Sequence, residues 1–231
     1  MNSNNYGVII TNKDTVLFFQ GETMYEPKHI VSTESEIREV IGDVLYSQDS
    51  KCIDHIDKHC QAWIERSTFI VISTVNNSGQ IDTSPKGDPS GSWKVLDRYT
   101  IAIPDRLGNN RADSFTNLLE NPRIGIMFVV PNRKEVVRVS GSAVIVRDPE
   151  LLSTMSVKEK LPHFATIIKV EEAMFHCGKS MIRSNLWNHQ KWEPVDGLPS
   201  YGQALVDHGK LSRSVEDMQA GVERNAIESL Y

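Results

Sequence analysis

The stretch Thr68–Ser84, TFIVISTVNNSGQIDTS, decides the fold class, because it predicts a β-strand, a turn and a second strand in succession. Apolar and β-branched residues fill 68–75, whereas 76–80 hold the Asn, Ser and Gly that favour turns. Further runs of strand composition lie at 92–96, 100–103, 124–130, 135–146 and 166–170. Together they predict a closed or nearly closed antiparallel β-barrel of mixed α+β class, because closure removes unpaired edges. An open sandwich is the alternative.

Helices are predicted on both sides of the barrel. Residues 32–42 start with a Ser or Thr cap followed by Glu and end at Gly, which predicts a short helix. Residues 52–66 predict a second helix, because its apolar residues share one broad face. That face holds Ile53, Ile56, Cys60, Trp63 and Ile64. Further helices are predicted at 111–119, 179–186 and 214–230.

The chain is therefore divided into four predicted regions. Residues 1–28 form an appendage with a hairpin at 7–20, and 29–66 form a helical preamble. The barrel occupies 67–175, and a helical C-terminal region follows at 176–231.

Composition restricts the classes of partner. With 231 residues, 39% of them hydrophobic, the chain is long enough to bury a core without disulfides. Its three cysteines show no framework spacing, and no signal peptide is recognisable, so a reducing cytoplasm is expected. No apolar run approaches the roughly 20 residues that span a bilayer, and the net charge of −5 opposes general binding to nucleic acid or membranes. Any anionic ligand needs a local basic pocket.

The junction PDRLGNNR, residues 104–111, joins a predicted strand to a predicted helix. Asn110 is the expected N-cap, with its side chain accepting from the amide of Asp113. A helix start offers free N–H groups and a positive dipole end, and Arg106 and Arg111 add full charges. This combination suits a phosphate, although a capped helix with solvated arginines is the simpler alternative. Arg106 either touches the ligand or braces the loop through Asp105.

A second basic strand end strengthens the phosphate interpretation. The segment IDTSPKGDPSG, residues 81–91, ends a predicted strand at Ser84, Pro85 and Lys86. If the two strands lie close together, Lys86 reaches the same ligand as the 104–111 junction.

Three segments together resemble the FMN-binding split β-barrel proteins of the pyridoxamine 5′-phosphate oxidase superfamily. They are FIVISTVNNSGQIDTSPKGDPSG, IAIPDRLGNNRADSFTNLLENPRIGIMFVVP and EVVRVSGSAVIVRDP, within a match that covers about 30–192. The chain is most similar to a branch whose members share SPKGD, IPDRxGNNR and FHCxKxxxRSxLW. The resemblance to this branch covers nearly the whole chain from about Lys28.

The resemblance implies a homodimer with two FMN molecules at the subunit interface. It also implies hydride transfer between the flavin and a small organic substrate. The implied flavin-binding residues are Ser84, Pro85 and Lys86 along the flavin, Ile103, Pro104 and Asp105 at the ribityl chain and ring, Asn109, Asn110 and Arg111 at the phosphate, and Arg183 and Trp187 from the second chain.

One departure from the family concerns the substrate. The vitamin oxidases hold the substrate phosphate with an Arg-x-His signature near the C-terminus, and 183–231 contain no Arg-x-His. Oxidation of pyridoxamine phosphate is therefore not expected. A flavin carrier or redox sensor without turnover, or the same barrel with a deazaflavin or haem, are the alternatives, with His176 as the haem ligand.

Other residues carry open alternatives. Lys86 serves either the reduced flavin ring or the phosphate. Arg138, in the middle of a predicted strand, points either to solvent or to the cofactor or dimer partner. His176 and Cys177 are the catalytic candidates, as a proton shuttle and a reactive thiol, and packing is the simpler role for both.

A metal site is not predicted. Cys52, His55 and His59 fall within about 60° of one another on the predicted 52–66 helix, which is a ligand-like spacing. No fourth ligand completes the set, since Cys60 lies too far round the helix.

Overall fold

The computed structural model describes residues 10–11, 15–16, 25 and 27–231, and the chain divides into two compact units, Met1–Leu45 and Tyr46–Tyr231. In the first unit, β1 (Ile10–Thr11) pairs antiparallel with β2 (Thr15–Val16). These strands fall inside the predicted hairpin at 7–20, whose other residues lie outside the described ones. Helix α1 (Glu34–Ile41) confirms the short helix, with the capping box of Thr33 and Glu36 at its start.

The second unit contains seven strands and seven α-helices within the described residues. The strands are β3 (Phe69–Val75), β4 (Ile81–Gly87), β5 (Lys94–Asp97), β6 (Thr100–Pro104), β7 (Arg123–Val129), β8 (Val136–Val146) and β9 (Ala165–His176). The helices are α2 (Tyr46–Asp49), α3 (Lys58–Arg66), α4 (Asp113–Glu120), α5 (Pro149–Ser153), α6 (Lys179–Arg183), α7 (Tyr201–Gly209) and α8 (Val215–Glu228), with a 3-10 turn at His189–Lys191. No helix in the described part of the chain is long and apolar enough to cross a membrane.

All seven strands form one antiparallel sheet in the order β4-β3-β7-β8-β9-β6-β5. The sheet curls back on itself. Lys86 in β4 lies 3.8 Å from Asp105, the residue after β6, although four strands separate β4 from β6 in the sheet order. This curl confirms the predicted split antiparallel barrel, with β4 and β5 as edges.

Strand alternation places the apolar core inside the curl. Along β3, Ile70 and Ile72 are buried while Val71 between them is only half-buried. Ile70 lies opposite Phe128, and Phe128 lies opposite Val137, so one row of buried side chains crosses three strands. The inner face of the sheet therefore forms one continuous hydrophobic cluster.

The predicted helix at 52–66 is shorter than expected. It begins at Lys58 because the Asp57 side chain accepts from the amides of His59 and Cys60, whereas Ile53 forms a β-bridge with Ala173. Cys52 and His55 therefore precede the helix, and their ligand-like helical spacing with His59 does not exist. The residues assigned to the apolar face are all buried or packed against the core, but Ile53 and Ile56 reach it from the segment before the helix and not from a helical face.

The N-cap predicted at Asn110 is wrong. Helix α4 begins at Asp113, its cap position is Ala112 at φ 59°, and Asn110 also has φ 59°. The left-handed backbone at Asn110 and at Ala112 delays the helix start, and the Asn110 side chain therefore does not cap it. On this helix Leu118 is buried, whereas Leu119 is exposed. The helix ends at Glu120, and its C-cap Asn121 directly precedes Pro122, which cannot continue a helix.

The last strand and the tail also differ from the prediction. Strand β9 runs to His176 instead of ending at 170, because it pairs along the whole of β8. Helix α6 ends at Arg183, and α8 confirms the predicted final helix, with Ser214 as its cap. Helix α7 is an addition that the sequence analysis missed.

Candidate functional site

A small pocket lies where β4, β6 and the first turns of α4 meet. Four predicted site residues, Lys86, Ile103, Pro104 and Asp105, line it together with Ser114 and Phe115 of α4. Lys86 faces inward because it lies opposite buried Ile70 in the β3–β4 register, so its side chain shares the inner face of the sheet. The barrel curl therefore brings together residues from two separate motifs.

The charged pair of this pocket is Lys86 and Asp105. Lys86 Nζ lies 3.8 Å from Asp105 Oδ1, and the two side chains are 28% and 22% exposed. Burial raises the pKa of the Asp105 carboxyl above its usual range, while the charge of Lys86 acts in the opposite direction. The Lys86 ammonium also stands 6.0 Å from the centre of the Phe115 ring. The pocket thus contains one positive charge, on Lys86, which the Asp105 carboxyl group neutralises only in part.

Ser84 and Pro85 lie on opposite faces of β4. Ser84 is half-buried opposite Ile72, on the same inner face as Lys86, whereas exposed Pro85 lies opposite Val71 on the outer face. Proline is tolerated there because β4 is an edge strand. The structure therefore separates Pro85 from the pocket that contains Lys86.

Arg106 does not brace the loop through Asp105. Its guanidinium binds Asp88 at 2.7 Å and donates to the carbonyl of Met155 at 2.8 Å. The Asp88 side chain is fully buried and Arg106 is 13% exposed, so this ion pair is an internal brace. The brace joins the loop after β4 to the loop after β6.

The outer half of the junction has different properties. The Asn109 side chain accepts from the amide of Arg111 at 3.0 Å, and Arg111 Nε lies 2.6 Å from Asp113 Oδ2. The hydrogen bond to Asp113 raises the pKa of the Arg111 guanidinium above its usual range. Arg111 is nevertheless 70% exposed, and Asn109 and Asn110 are exposed as well. This side chain is charged and accessible.

The start of α4 lacks a side-chain cap, because Ala112 occupies the cap position. The first-turn N–H groups therefore have no capping side-chain acceptor, and they lie beside Arg111 in the sequence. An uncapped helix start with an adjacent arginine is chemically suited to an anion such as a phosphate.

Arg138 points outward. It is exposed on the outer face of β8, between Met127 of β7 and Met174 of β9 in the sheet register. With Glu172 it lines an open groove of about 350 Å³ on that face. The pocket of Lys86 lies on the inner face, so a single chain does not bring Arg138 and Lys86 together.

The remaining predicted residues lie at or beyond the other end of β9. Ala165 pairs with Pro104 at one end, and His176 is eleven residues further along, roughly 35 Å in an extended strand. Exposed Cys177 follows directly, then Arg183 at the end of α6. His176 Nδ1 is buried without a hydrogen-bond partner.

Trp187 is anchored near that end of the molecule, because its indole N–H donates to the carbonyl of Arg133 at 2.7 Å. Arg133 lies just before β8, whose first residue Val136 pairs with His176. One chain therefore holds His176, Cys177, Arg183 and Trp187 apart from Asp105.

Several site residues were missed by the sequence analysis. The Ser114 hydroxyl donates to Asp82 at 2.6 Å, which fastens the start of α4 to the inner face of β4. The rings of Phe115 and Phe164 meet edge to face at 5.7 Å. The one signal for this group in the sequence is the spacing of Phe115 and Leu118, which places both residues on one face of the predicted helix at 111–119.

A second pocket adjoins the first through Asp105. It has a volume of about 220 Å³ and is lined by Asp105, Arg106, Lys160, Leu161, His163 and Tyr231. We call it the Tyr231 pocket. Nothing in the sequence placed Tyr231 near residue 105.

Comparisons with known proteins give a consistent picture for the barrel. A family model described as pyridoxamine 5′-phosphate oxidase matches residues 56–177, more than half of the chain. No curated protein matches.

Three solved structures illustrate the likeness. HupZ from Group A Streptococcus is 22% identical, with a TM-score of 0.42 over 51% of this chain and 91% of its own. General Stress Protein 26 from Bacillus anthracis is 15% identical, with a TM-score of 0.39 over 49% and 88%. An FMN-binding protein from Syntrophomonas wolfei is 14% identical, with a TM-score of 0.39 over 50% and 82%.

Proposed function

Because this chain belongs to the pyridoxamine 5′-phosphate oxidase family, we propose that it is an FMN-dependent oxidoreductase acting on a small organic molecule. The observation that carries the proposal is the convergence of Lys86 and Asp105 beside the α4 start, on the inner face of a split barrel. The motifs at 84–86 and 104–111 are separate in the sequence, but they lie close enough in the fold for one ligand to contact both.

The phosphate of FMN is assigned to the start of α4. The uncapped first-turn N–H groups provide hydrogen-bond donors. Exposed Arg111 provides a full positive charge, and its guanidinium releases Asp113 to bind the phosphate, which is the stronger acceptor. Asn109 and Asn110 are exposed in the same loop and add amide donors. The residues present therefore fit the charge and hydrogen-bonding needs of a phosphate.

The flavin ring and ribityl chain are assigned to the strand ends. Ile103 and Pro104 provide an apolar surface, and Ser84 and Lys86 provide polar contacts from the same inner face. FMN supplies the hydride-transfer chemistry when it is bound. Lys86 supplies a positive charge that stabilises negative charge on the ring edge, and Asp105 orients that ammonium.

The substrate is not assigned to pyridoxamine phosphate, because 183–231 lack the Arg-x-His pair that holds the substrate phosphate in the vitamin oxidases. A small organic molecule that approaches the ring beside Asp105 agrees better with the residues present.

We also propose a homodimer in which a second copy completes each flavin site. In this arrangement Arg183, Trp187 and the His176–Cys177 pair approach the flavin from the other chain. The outer sheet face around Arg138 supports this proposal, because Val71, Met127 and Met174 form a half-buried apolar surface there.

Titration with FMN tests the proposal. The wild-type protein is expected to quench flavin fluorescence on binding. The double variant Lys86→Ala with Arg111→Ala is expected to bind FMN at least about a hundredfold more weakly, because each lost hydrogen bond to a charged group contributes a factor of about ten or more. The matched control is Lys58→Ala with Arg66→Ala, which removes the same two charge types from exposed positions of α3.

A colourless wild-type protein with no affinity for added FMN contradicts the proposal. So does equal FMN affinity in the double variant and its control. Sedimentation of the same samples reads out the dimer, which is expected at twice the 26.0 kDa of one chain.

A further inference from the structure

The Tyr231 pocket adjoins the pocket of Lys86 through Asp105, and its lining contains more basic than acidic side chains. Lys160 and His163 line it, and no carboxylate in the described part of the chain lies within ion-pair distance of either. The Arg106 guanidinium in the same lining is already paired with Asp88. The Lys160 ammonium and the His163 imidazole therefore face a cavity of about 220 Å³ without an ion-pair partner among the described residues.

The aromatic wall of the pocket is held in place by cations. The Tyr231 ring is half-buried, with the Arg106 guanidinium 5.9 Å and the Lys158 ammonium 5.2 Å from its centre. Leu161 lies in the same lining and adds an apolar surface. A flat or short apolar body therefore fits between Tyr231 and the loop at 160–163.

The turn that presents Lys160 is strained. Val157 and Lys160 form a β-bridge, and the two residues between them, Lys158 and Glu159, have φ values of 48° and 63°. A two-residue hairpin of this kind normally uses Asn and Gly, because other residues are strained at positive φ. Strain of this type concentrates at functional sites, and here it directs Lys158 toward Tyr231 and Lys160 toward the pocket.

The pocket also contains one acidic side chain. Asp105 lines both pockets, and Lys86 contacts it from the first pocket. A ligand in the Tyr231 pocket therefore meets the Lys160 ammonium, the His163 imidazole and the Asp105 carboxyl group.

We propose that the Tyr231 pocket binds a small organic carboxylate that carries a hydroxyl or amine at its far end. The carboxylate lies against Lys160 and His163, the body packs on Tyr231, and the hydroxyl or amine donates to Asp105. This ligand class is the substrate class of the proposed oxidoreductase, so its role as a substrate rests on the proposed function. Binding of the carboxylate itself does not require FMN.

Calorimetric titration with 4-hydroxybenzoate tests the assignment in FMN-free protein. The matched probes are 4-hydroxybenzamide, which lacks the negative charge, and benzoate, which lacks the hydroxyl. Binding of 4-hydroxybenzoate is expected to be at least about tenfold tighter than that of either probe, because each lacks one polar contact to a charged group.

Variants locate the site. Lys160→Ala and Tyr231→Ala are each expected to weaken 4-hydroxybenzoate binding by about tenfold, and the exposed control Lys58→Ala is expected to leave it unchanged. FMN affinity should stay at the wild-type value in both pocket variants, because neither residue belongs to the flavin pocket.

Three results overturn the assignment. They are the absence of 4-hydroxybenzoate binding up to about 10 mM, equal binding of the neutral amide, and full competition by equimolar inorganic phosphate. If the wild-type protein does not bind FMN, the proposed function is overturned. If it binds FMN but not 4-hydroxybenzoate, this inference alone is overturned.

Discussion

Arg106 and Arg111 lie five residues apart in the same junction, yet they occupy opposite environments. Each binds an aspartate at nearly the same distance, 2.7 Å to Asp88 and 2.6 Å to Asp113. Arg106 is 13% exposed and its partner is fully buried, whereas Arg111 is 70% exposed and its partner 41%. Burial, and not the distance between the charges, distinguishes the internal ion pair of Arg106 from the solvent-exposed pair of Arg111.

The difference has an energetic cause. Two charges taken out of water depend on each other, since either one alone retains the cost of burial without compensation. Two charges in water interact weakly and exchange partners readily. The inner arginine is therefore fixed in the fold, and the outer arginine is available to an anion.

The largest expected effect comes from breaking the inner pair. Asp88→Ala leaves the Arg106 guanidinium buried without its counter-charge, and we expect the free energy of unfolding to fall by about 3–5 kcal/mol. Urea denaturation of the FMN-free protein measures this loss.

The double variant Asp88→Ala with Arg106→Met is the control for that experiment. Removing both charges is expected to recover a large part of the lost stability, because a buried ion pair contributes little more than an apolar replacement of similar size. A loss below about 1 kcal/mol for Asp88→Ala alone would show that the inner pair behaves like an exposed one.

An intermediate effect is expected at Asp105, whose side chain is 22% exposed, between the 13% of Arg106 and the 70% of Arg111. Burial raises its folded-state pKa, so the folded protein holds this proton more tightly than the unfolded chain. The stabilising contribution of Asp105 is therefore complete below the ordinary carboxyl pKa and is lost as pH rises through the folded-state pKa. Asp105→Asn removes that dependence.

The measurement compares the free energy of unfolding of wild type and Asp105→Asn in steps from pH 4 to pH 7. The wild type should become progressively less stable relative to the variant as pH rises. Asp148→Asn, which changes an aspartate that caps α5, controls for the loss of a carboxylate elsewhere. The opposite trend would mean that the attraction of Lys86 outweighs burial at Asp105.

The sequence predicted the barrel because its strands carry local signals. The apolar and β-branched residues of 69–75 and the turn residues at 76–80 specify a hairpin without reference to the rest of the chain. The α3 boundary was wrong because Ile53 pairs with Ala173, which is 120 residues away and leaves no local trace. Long-range pairing overrode helical periodicity there.

The site was predictable only in part for the same reason. The basic motifs at 84–86 and 104–111 carried recognisable chemistry, and the fold brings Lys86 and Asp105 together. The Asp88–Arg106 brace and the position of Tyr231 depend on how loops approach each other in space, so neither appears in any local pattern. The roles of Asn109–Arg111, Arg138, Arg183 and Trp187 at a flavin stay predictions.

The smallest expected effect tests the outer arginine. Asp113→Asn removes the partner that competes for Arg111, and we expect FMN affinity to rise by up to about fivefold, which is the range of an exposed ion pair. The helix start loses a favourable acidic residue, but its effect on unfolding should be small because the site is exposed. Fluorescence titration with FMN measures the gain.

Glu150→Gln is the matched control, because Glu150 occupies the first turn of another helix, α5. If Asp113→Asn instead weakens FMN binding, then Asp113 holds Arg111 in the orientation that the phosphate needs, and the outer pair is a preformed part of the site. Both aspartates would then be structural partners. Asp88 would fix the position of a loop through Arg106, and Asp113 would fix the orientation of the Arg111 side chain.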